Sequence, residues 1–271
     1  MTLWDNQAKR WANIGSPLRP SPIDIQTSSS WIKHLITTDE KPFTVLLLGV
    51  TPEIAHIRWP KNTRLIAIDN NFSMLKSILP SETQTIKPQG FVGDWLKLPL
   101  ADAKVDLVIG DGCFTCITEN NYEKMIKEIR RVISPAGAFI IRFFIRPNIT
   151  ESIGSVHQEF LSGKIENFHV LKWRIAMALH GSLNQGVSLN SIWESWNTLF
   201  KKNNQSLFKR LQWPQSVIQT IDNYKESSVY YTFPTLQEVR TRLNSYFKEQ
   251  DIFFPNYALG ERCPTFNFIP L

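Results

Sequence analysis

The chain is poor in cysteine: Cys113, Cys116 and Cys263 are the three thiols in 271 residues. An odd trio makes no disulfide framework, so a small stapled secreted fold is excluded and a reducing compartment is expected. Long apolar runs are missing too. Val45–Val50 and Ala138–Ile145, the second interrupted by Arg142, fall far short of the roughly 20 residues that span a bilayer. The opening Met1-Thr2-Leu3-Trp4-Asp5 lacks the charged-then-apolar build of a secretion signal, so a soluble, cytoplasmic protein without membrane association is expected. No repeat, low-complexity tract or G-x-G-x-x-G pyrophosphate cradle occurs, and the last absence disfavours an NAD-dependent oxidoreductase.

What is present is an ordinary globular mixture, 42% hydrophobic and 20% charged, long enough for one large domain or one domain with an insertion. The net charge is +6, which would help an anionic partner approach. The positive charge is scattered over short clusters (Lys9-Arg10, Lys127 with Arg130-Arg131, Lys201-Lys202) of the kind that helix surfaces carry. A nucleic-acid partner is therefore not favoured. No feature speaks to oligomeric state.

Residues 4–12 and Ile23–Ile36 read as helices around a proline-rich break at Gly15–Pro22. From Phe43 the pattern becomes short apolar runs: Phe43–Val50, Leu65–Ile68, Val105–Ile109 and Ala138–Phe144. Each suits a strand buried on both faces. Helical spacing lies between them at Thr51–His56, Ser73–Leu79 and Asn121–Val132, and Ser134–Gly137 reads as a turn. This alternation predicts an α/β fold with a Rossmann-like, doubly wound, mostly parallel sheet. After Pro147 helices dominate, at Ser155–Leu161, Phe168–Leu179, Leu189–Phe200 and Pro214–Tyr224. Thr235-Leu236-Gln237-Glu238 opens a further helix to about Phe247 with a capping box, and Ile252–Phe254 and Thr265–Ile269 read as final strands.

Four features fall at successive strand ends, where open α/β sheets bind ligands. Gly49, followed by Val50 and Thr51, turns the chain after the first strand. Asp69, with Asn70 next to it, ends the second strand about twenty residues later, where a carboxylate can accept both hydroxyls of a ribose. Gly93-Asp94-Trp95 precedes Leu98-Pro99, and Asp94 can accept from an adenine amino group. Asp111-Gly112 ends the fourth strand. Taken alone, an aspartate at a strand end is more often a helix cap, and Trp95 can equally be core.

In these residues the chain resembles the class I S-adenosylmethionine (SAM)-dependent methyltransferases, in particular the branch acting on small molecules. The resemblance runs from Phe43 to Phe144, with a looser echo over 233–271. Ile68-Asp69-Asn70-Asn71-Phe72-Ser73-Met74 is similar to the family's acidic motif, and Gly93–Asp102 followed by Val105–Val108 to its G-D-x-x-x-L-P-x-x-D segment. The helix, Ser134-Pro135-Ala136-Gly137 and following strand resemble its helix, L-x-P-G-G, strand unit. The usual E/D-x-G-x-G-x-G opening is reduced to Gly49. The resemblance implies SAM as cofactor, with S-adenosylhomocysteine as product. Gly49, Val50, Thr51, Asp69, Asn70, Met74, Gly93, Asp94, Trp95, Asp111 and Gly112 would bind it, and Thr51 or Arg19 would reach its methionine end.

The expected organisation is an N-terminal helical lid (1–40), a SAM-binding core (41–147), a helical insertion forming a cap (148–232), and a C-terminal helix with two strands (233–271). The insertion is rich in aromatics, including Trp173, Trp193, Trp196, Tyr230 and Tyr231. That suits a small, partly hydrophobic methyl acceptor, methylated at O, N or C, although most of these rings can simply be the cap's own core. Asp111, His157, His169, His180 and Tyr230 are candidate bases, with Asp111 and His169 preferred as catalytic residues. Cys113-x-x-Cys116 has metal-ligand spacing but no second pair nearby, so no metal is expected. RNA methylation and non-catalytic binding of SAM or a nucleoside are the competing functions.

Overall fold

The computed structural model describes residues 2–36, 41–202 and 205–271; Met1 and the lid boundary drawn at residue 40 lie outside them. In chain order the elements are α1 (Leu3–Lys9), α2 (Pro22–Leu35), β1 (Phe43–Leu48), α3 (Pro52–Ala55), β2 (Thr63–Asp69), α4 (Phe72–Ile78), β3 (Gln89–Val92), β4 (Val105–Asp111), α5 (Tyr122–Val132) and β5 (Ile133–Arg142). Then come α6 (Ile153–Leu161), α7 (Phe168–Leu179), β6 (Val187–Ser188), α8 (Leu189–Ser195), α9 (Gln205–Leu211), α10 (Gln215–Ile218), β7 (Tyr230–Tyr231), α11 (Leu236–Leu243), β8 (Phe247–Phe253) and β9 (Thr265–Pro270).

Seven strands form one sheet in the order β3-β2-β1-β4-β5-β9-β8, parallel from β3 to β5. β9 slots between β5 and β8 and runs antiparallel to both. A dinucleotide-binding sheet ends 4-5-6; the antiparallel strand here takes the place of its sixth. The apolar runs of β1, β2 and β4 follow from burial on two faces. Leu46, Leu48, Ile66, Ile68 and Val108 pack on α5 and α11, while Val45, Leu47, Leu65, Ala67, Leu107 and Ile109 pack on α2, α3 and α4. With a side-chain period of two, every residue of such a strand meets a helix layer.

A third core is built by residues 144–233 together with Leu259 and Cys263, and in it α6–α10 surround α7. α7 is buried from Phe168 to Met177, as a helix enclosed on all sides must be. β6 and β7 form a two-residue ribbon beside it. α8 continues as a π-helical turn over Trp196–Lys201, and α10 as a 3-10 turn over Gln219–Tyr224.

Several sequence expectations need correction. β3 was not legible, because Gln89–Val92 is an exposed edge with no apolar run. Ser134–Gly137 is part of β5 rather than a turn: Ile133 already pairs with Val105, and the register slips before Leu107 meets Ala138. That slip absorbs the extra residues. α11 stops at Leu243, since Phe247 is needed in the sheet core against Phe139 and Phe268. Among the described residues no helix is long and apolar enough to cross a membrane.

Candidate active site

The site grows from the carboxyl ends of β1, β2 and β4. Gly49 leaves β1 with φ +76°, donates to the Ile68 carbonyl at 2.8 Å, and lies so close to Trp95 that a Cβ would meet the indole at 3.2 Å. Positive φ and a ring in contact both require glycine here. The Ile68 carbonyl also accepts Trp95 Nε1 at 2.7 Å, so the turn and the indole share one anchor. Trp95 is thus part of the site wall.

Asp69 ends β2. Its Oδ1 accepts the Asn71 amide at 2.7 Å, and Oδ2 faces Gly49, 3.6 Å from where a Cβ would stand. Burial pushes this carboxyl above the usual range, and the Asn71 amide opposes the shift. Asn71 caps α4 through Met74 N at 2.9 Å, and its amide donates to Thr2 Oγ1 and Asp5 Oδ1 at 3.2 Å. The N-terminal helix is thereby tied to the strand end. Gly93 donates to the Asp69 carbonyl at 3.0 Å. Asp94 is exposed, and its Oδ1 closes a turn on Leu96 N at 2.9 Å.

Two hollows meet here. One is lined by Asp69, Asn70, Gly93, Asp94 and Trp95. The other is lined by Gly49, Val50, Thr51, Asp69, Met74, Trp95, Asp111 and Gly112 on the sheet side, and by Trp4, Gln7 and Trp11 from the N-terminal segment. The structure therefore assembles every residue expected around the cofactor except Arg19. That guanidinium is fully engaged elsewhere: it pairs with Glu53, donates to the Trp11 and Ile14 carbonyls at 3.3 and 3.2 Å, and stacks on Trp11.

Both expected catalytic residues are also corrected. Asp111 is clamped by Arg142, with Nε to Oδ1 at 2.6 Å and Nη2 to Oδ2 at 3.0 Å, and both side chains are buried. The two residues are direct ladder partners across β4 and β5. Arg142 further donates to Pro17 O and Tyr257 Oη, each at 2.9 Å. A carboxylate held by both oxygens is a structural anchor for the N-terminal segment rather than a base. His169 lies off the cavity wall, its Nε2 bonded to Asn13 O at 3.0 Å, and burial together with Lys172 pulls its pKa down to about 3.

Among the other base candidates, His180 spends both nitrogens on Gly181 O (2.8 Å) and Phe233 N (3.1 Å). His157 meets Phe200 edge-on and stacks on Phe160, and Tyr230 is half exposed; neither lines the cavity. Cys116 lines it, but burial pushes its thiol up to about 12, and Cys113 is raised further. Neither thiol supplies a thiolate at neutral pH.

Of the far wall, sequence reasoning offered Trp173 and Tyr231 among the cap aromatics but missed Phe144, Lys172 and Tyr224. That wall is formed by Phe144 after β5, Lys172 and Trp173 on α7, and Tyr224 and Tyr231. Trp173 sets its edge against Phe144, Tyr231 and Phe233 at 5.3–5.6 Å. Lys172 is 1% exposed, donates from Nζ to Thr220 Oγ1 at 3.2 Å, and sits over Tyr224 at 5.2 Å. Burial pulls its pKa down to about 7. The available signal was a cation inside an almost continuous apolar helix, Phe168–Leu179.

Residues 48–141 match the family model of the methyltransferase domain. Among solved structures the chain is similar to the CcbJ methyltransferase of Streptomyces caelestis, at 11% identity and TM-score 0.56, over 100% of this chain and 98% of that one. A SAM-dependent methyltransferase of Methanosarcina mazei is similar at 14% identity and TM-score 0.50, over 93% and 98%. A Rhodobacter sphaeroides protein described as a putative Zn-dependent alcohol dehydrogenase is similar at 11% and 0.53, over 98% of both chains. At these identities the likenesses bear on the fold alone. No curated protein sequence matches significantly.

The sheet with its antiparallel β9, the acid at the end of β2 and the family match together define a Rossmann-like class I methyltransferase core. The match over residues 48–141 is to a methyltransferase-domain family, and it implies S-adenosylmethionine as cofactor.

Proposed function

We propose that the protein transfers a methyl group from SAM to a small, partly hydrophobic organic acceptor. The observation that carries this reading is that Asp69 and Trp95 line both a hollow over β2 and an aromatic one under α7, where Gly49 and Gly112 continue the wall. In this reading Asp69 accepts the ribose hydroxyls and Asp94 borders the adenine. Thr51, Gly112 and Gln7 face the methionine end. The residues fit a nucleoside: Gly49 offers backbone without a Cβ, and Asp69 Oδ2 is turned toward it. When bound, SAM supplies a methyl carbon on a sulfonium, which an acceptor lone pair takes while sulfur keeps the electrons of the broken bond.

The protein's own share is to align the acceptor and exclude water. Trp4 and Trp11 from the N-terminal segment and Trp173, Tyr224 and Tyr231 from the cap do so by enclosing the hollow with rings. Aromatic walls suit a small acceptor better than an RNA strand, which would call for a continuous basic track. The three cysteines are unpaired, which fits a reducing, cytoplasmic setting.

Isothermal calorimetry with SAM and S-adenosylhomocysteine tests this. Asp69→Asn should weaken both ligands about 10- to 100-fold, the value of two charge-assisted hydrogen bonds reduced to neutral ones. Wild-type protein that gives no heat with either ligand would sink the reading.

A further inference from the structure

Two cations on α7 are treated differently by the fold. Arg174 meets two carboxylates, Glu159 at 2.6 Å and Glu151. Lys172, more deeply buried, meets none among the described residues: its neighbours there are Thr220 Oγ1 and the face of Tyr224. Thr220 Oγ1 gives its one proton to Val217 O at 2.7 Å, so it can only accept from the amine. One N–H of Lys172 is therefore spent, and the lone pair of the neutral amine is left for another group. Trp11 Nε1 and Trp173 Nε1 belong to residues lining the same cavity, and both are buried without a hydrogen-bond partner among the described residues. Buried indole N–H groups ordinarily find an acceptor. The residues that line the cavity thus include two indoles whose N–H groups have no partner among the described residues and a lysine with a lone pair unspent, between aromatic walls.

We infer that the methyl acceptor is a small aromatic compound bearing an acidic, phenol-type hydroxyl, and that Lys172 is the general base that takes its proton. This rests on the methyl-transfer reading above. The hydroxyl O–H bond breaks and an N–H bond forms on Lys172 Nζ. The oxygen keeps the electron pair and uses it for the new O–CH3 bond, and the ammonium loses its proton to solvent when product leaves. An aliphatic alcohol is too weak an acid for this amine, whereas a phenol near 10 is within reach of a base near neutrality. An ammonium acceptor would be repelled by the protonated form, and a carboxylate would need no base.

The groups facing Lys172 leave it free to titrate alone near neutrality. His169 on the same helix is pulled down to about 3. Tyr224 and Tyr231 are pushed up by burial, as is Cys116, to about 12. Across the cavity Asp69 is pushed up by burial and Asp111 is bound by Arg142.

The test uses 4-nitrophenol, whose anion is read by absorbance, on the full chain saturated with S-adenosylhomocysteine. Bound nitrophenol should ionise at least one pH unit lower than in free solution, and Lys172→Met should abolish that shift. With SAM and a series of monocyclic phenols of graded acidity beside matched anilines, wild type should methylate phenols. Lys172→Met should lose about 10²- to 10⁴-fold in turnover, least for the most acidic phenols, with SAM affinity within about twofold of wild type. Lys172→Arg, charged but unable to act as base, should be equally impaired. A nitrophenol titration unchanged by the wild-type protein overturns the inference, as does full turnover in Lys172→Met, or rescue by Lys172→Arg. A tenfold loss of SAM affinity in Lys172→Met also overturns it, by assigning the amine to the cofactor. All of these occur with SAM still bound by wild type, whereas absent SAM binding removes the methyl-transfer reading itself.

Discussion

Arg142 and Lys172 are both buried cations, yet one is held by a carboxylate and the other is exposed to the cost of its own charge. Below its folded-state pKa of about 7, Lys172 must carry a proton without a counter-ion among the described residues. The unfolded chain binds that proton up to about 10.4, so the lysine's penalty is full below pH 7 and fades as pH rises toward 10. Lys172→Met should therefore raise stability, by about 3–5 kcal/mol below pH 7 on the linkage of 1.36 kcal/mol per unit, and by progressively less at higher pH. Chemical denaturation of both proteins at pH 6, 8 and 9.5 checks the sign, and an equal gain at all three would contradict the buried-charge account. Arg142 behaves otherwise. Its position inside the run Ala138–Phe144 made a buried partner predictable in kind, but that Asp111 is the partner follows only from the β4–β5 register. For Lys172 the partners come from Thr220 and Tyr224, some fifty residues on, and no local pattern announces them.

The elements divide the same way. β1, β2 and β4 were legible because burial on both faces writes itself as an unbroken apolar run, and Asp69 was legible because it sits where such a run stops. β3 carries Gly93 and Asp94 into place from an exposed edge, so its four residues have no pattern to read. α7 was found to the residue, but its orientation was not: being buried on every side, it gives no face preference, and His169 was preferred as base over its neighbour Lys172. What fixes its start is Asn167, whose side chain accepts the amides of His169 at 2.9 Å and Val170 at 3.0 Å. Asn167→Ala should cost about 1 kcal/mol through the lost cap. Because Lys172 lies one turn further on, turnover should fall while SAM affinity, which the proposed function assigns to the ends of β1 and β2, stays unchanged. Paired melting and calorimetry would show whether loosening this helix end spares the cofactor half as expected.

Across the molecule, the site is assembled from three stretches of chain that meet around it. The sheet supplies Gly49, Asp69 and Gly112, and residues 144–233 supply the aromatic wall. The N-terminal segment bridges them: Thr2 and Asp5 receive Asn71, Arg10 reaches the Gln219 carbonyl, Gln7 receives Asn223, and Arg142 holds Pro17. A ligand lying along the shared wall binds only the assembled state, so it should stabilise the whole fold by mass action. S-adenosylhomocysteine at one hundred times its Kd contributes about 2.7 kcal/mol. For a chain of this size that corresponds to a rise in Tm of about 5–10 °C. Asp69→Asn separates binding from folding. Its carboxyl is raised by burial, so the native charged form is penalised at neutral pH and the fold gains nothing from the charge. The variant should melt at or above the wild-type temperature without ligand, yet lose most of the ligand-induced rise at the same concentration. A variant that melts lower without ligand would show that Asp69 holds the strand end together, and its place in the wall would then be structural.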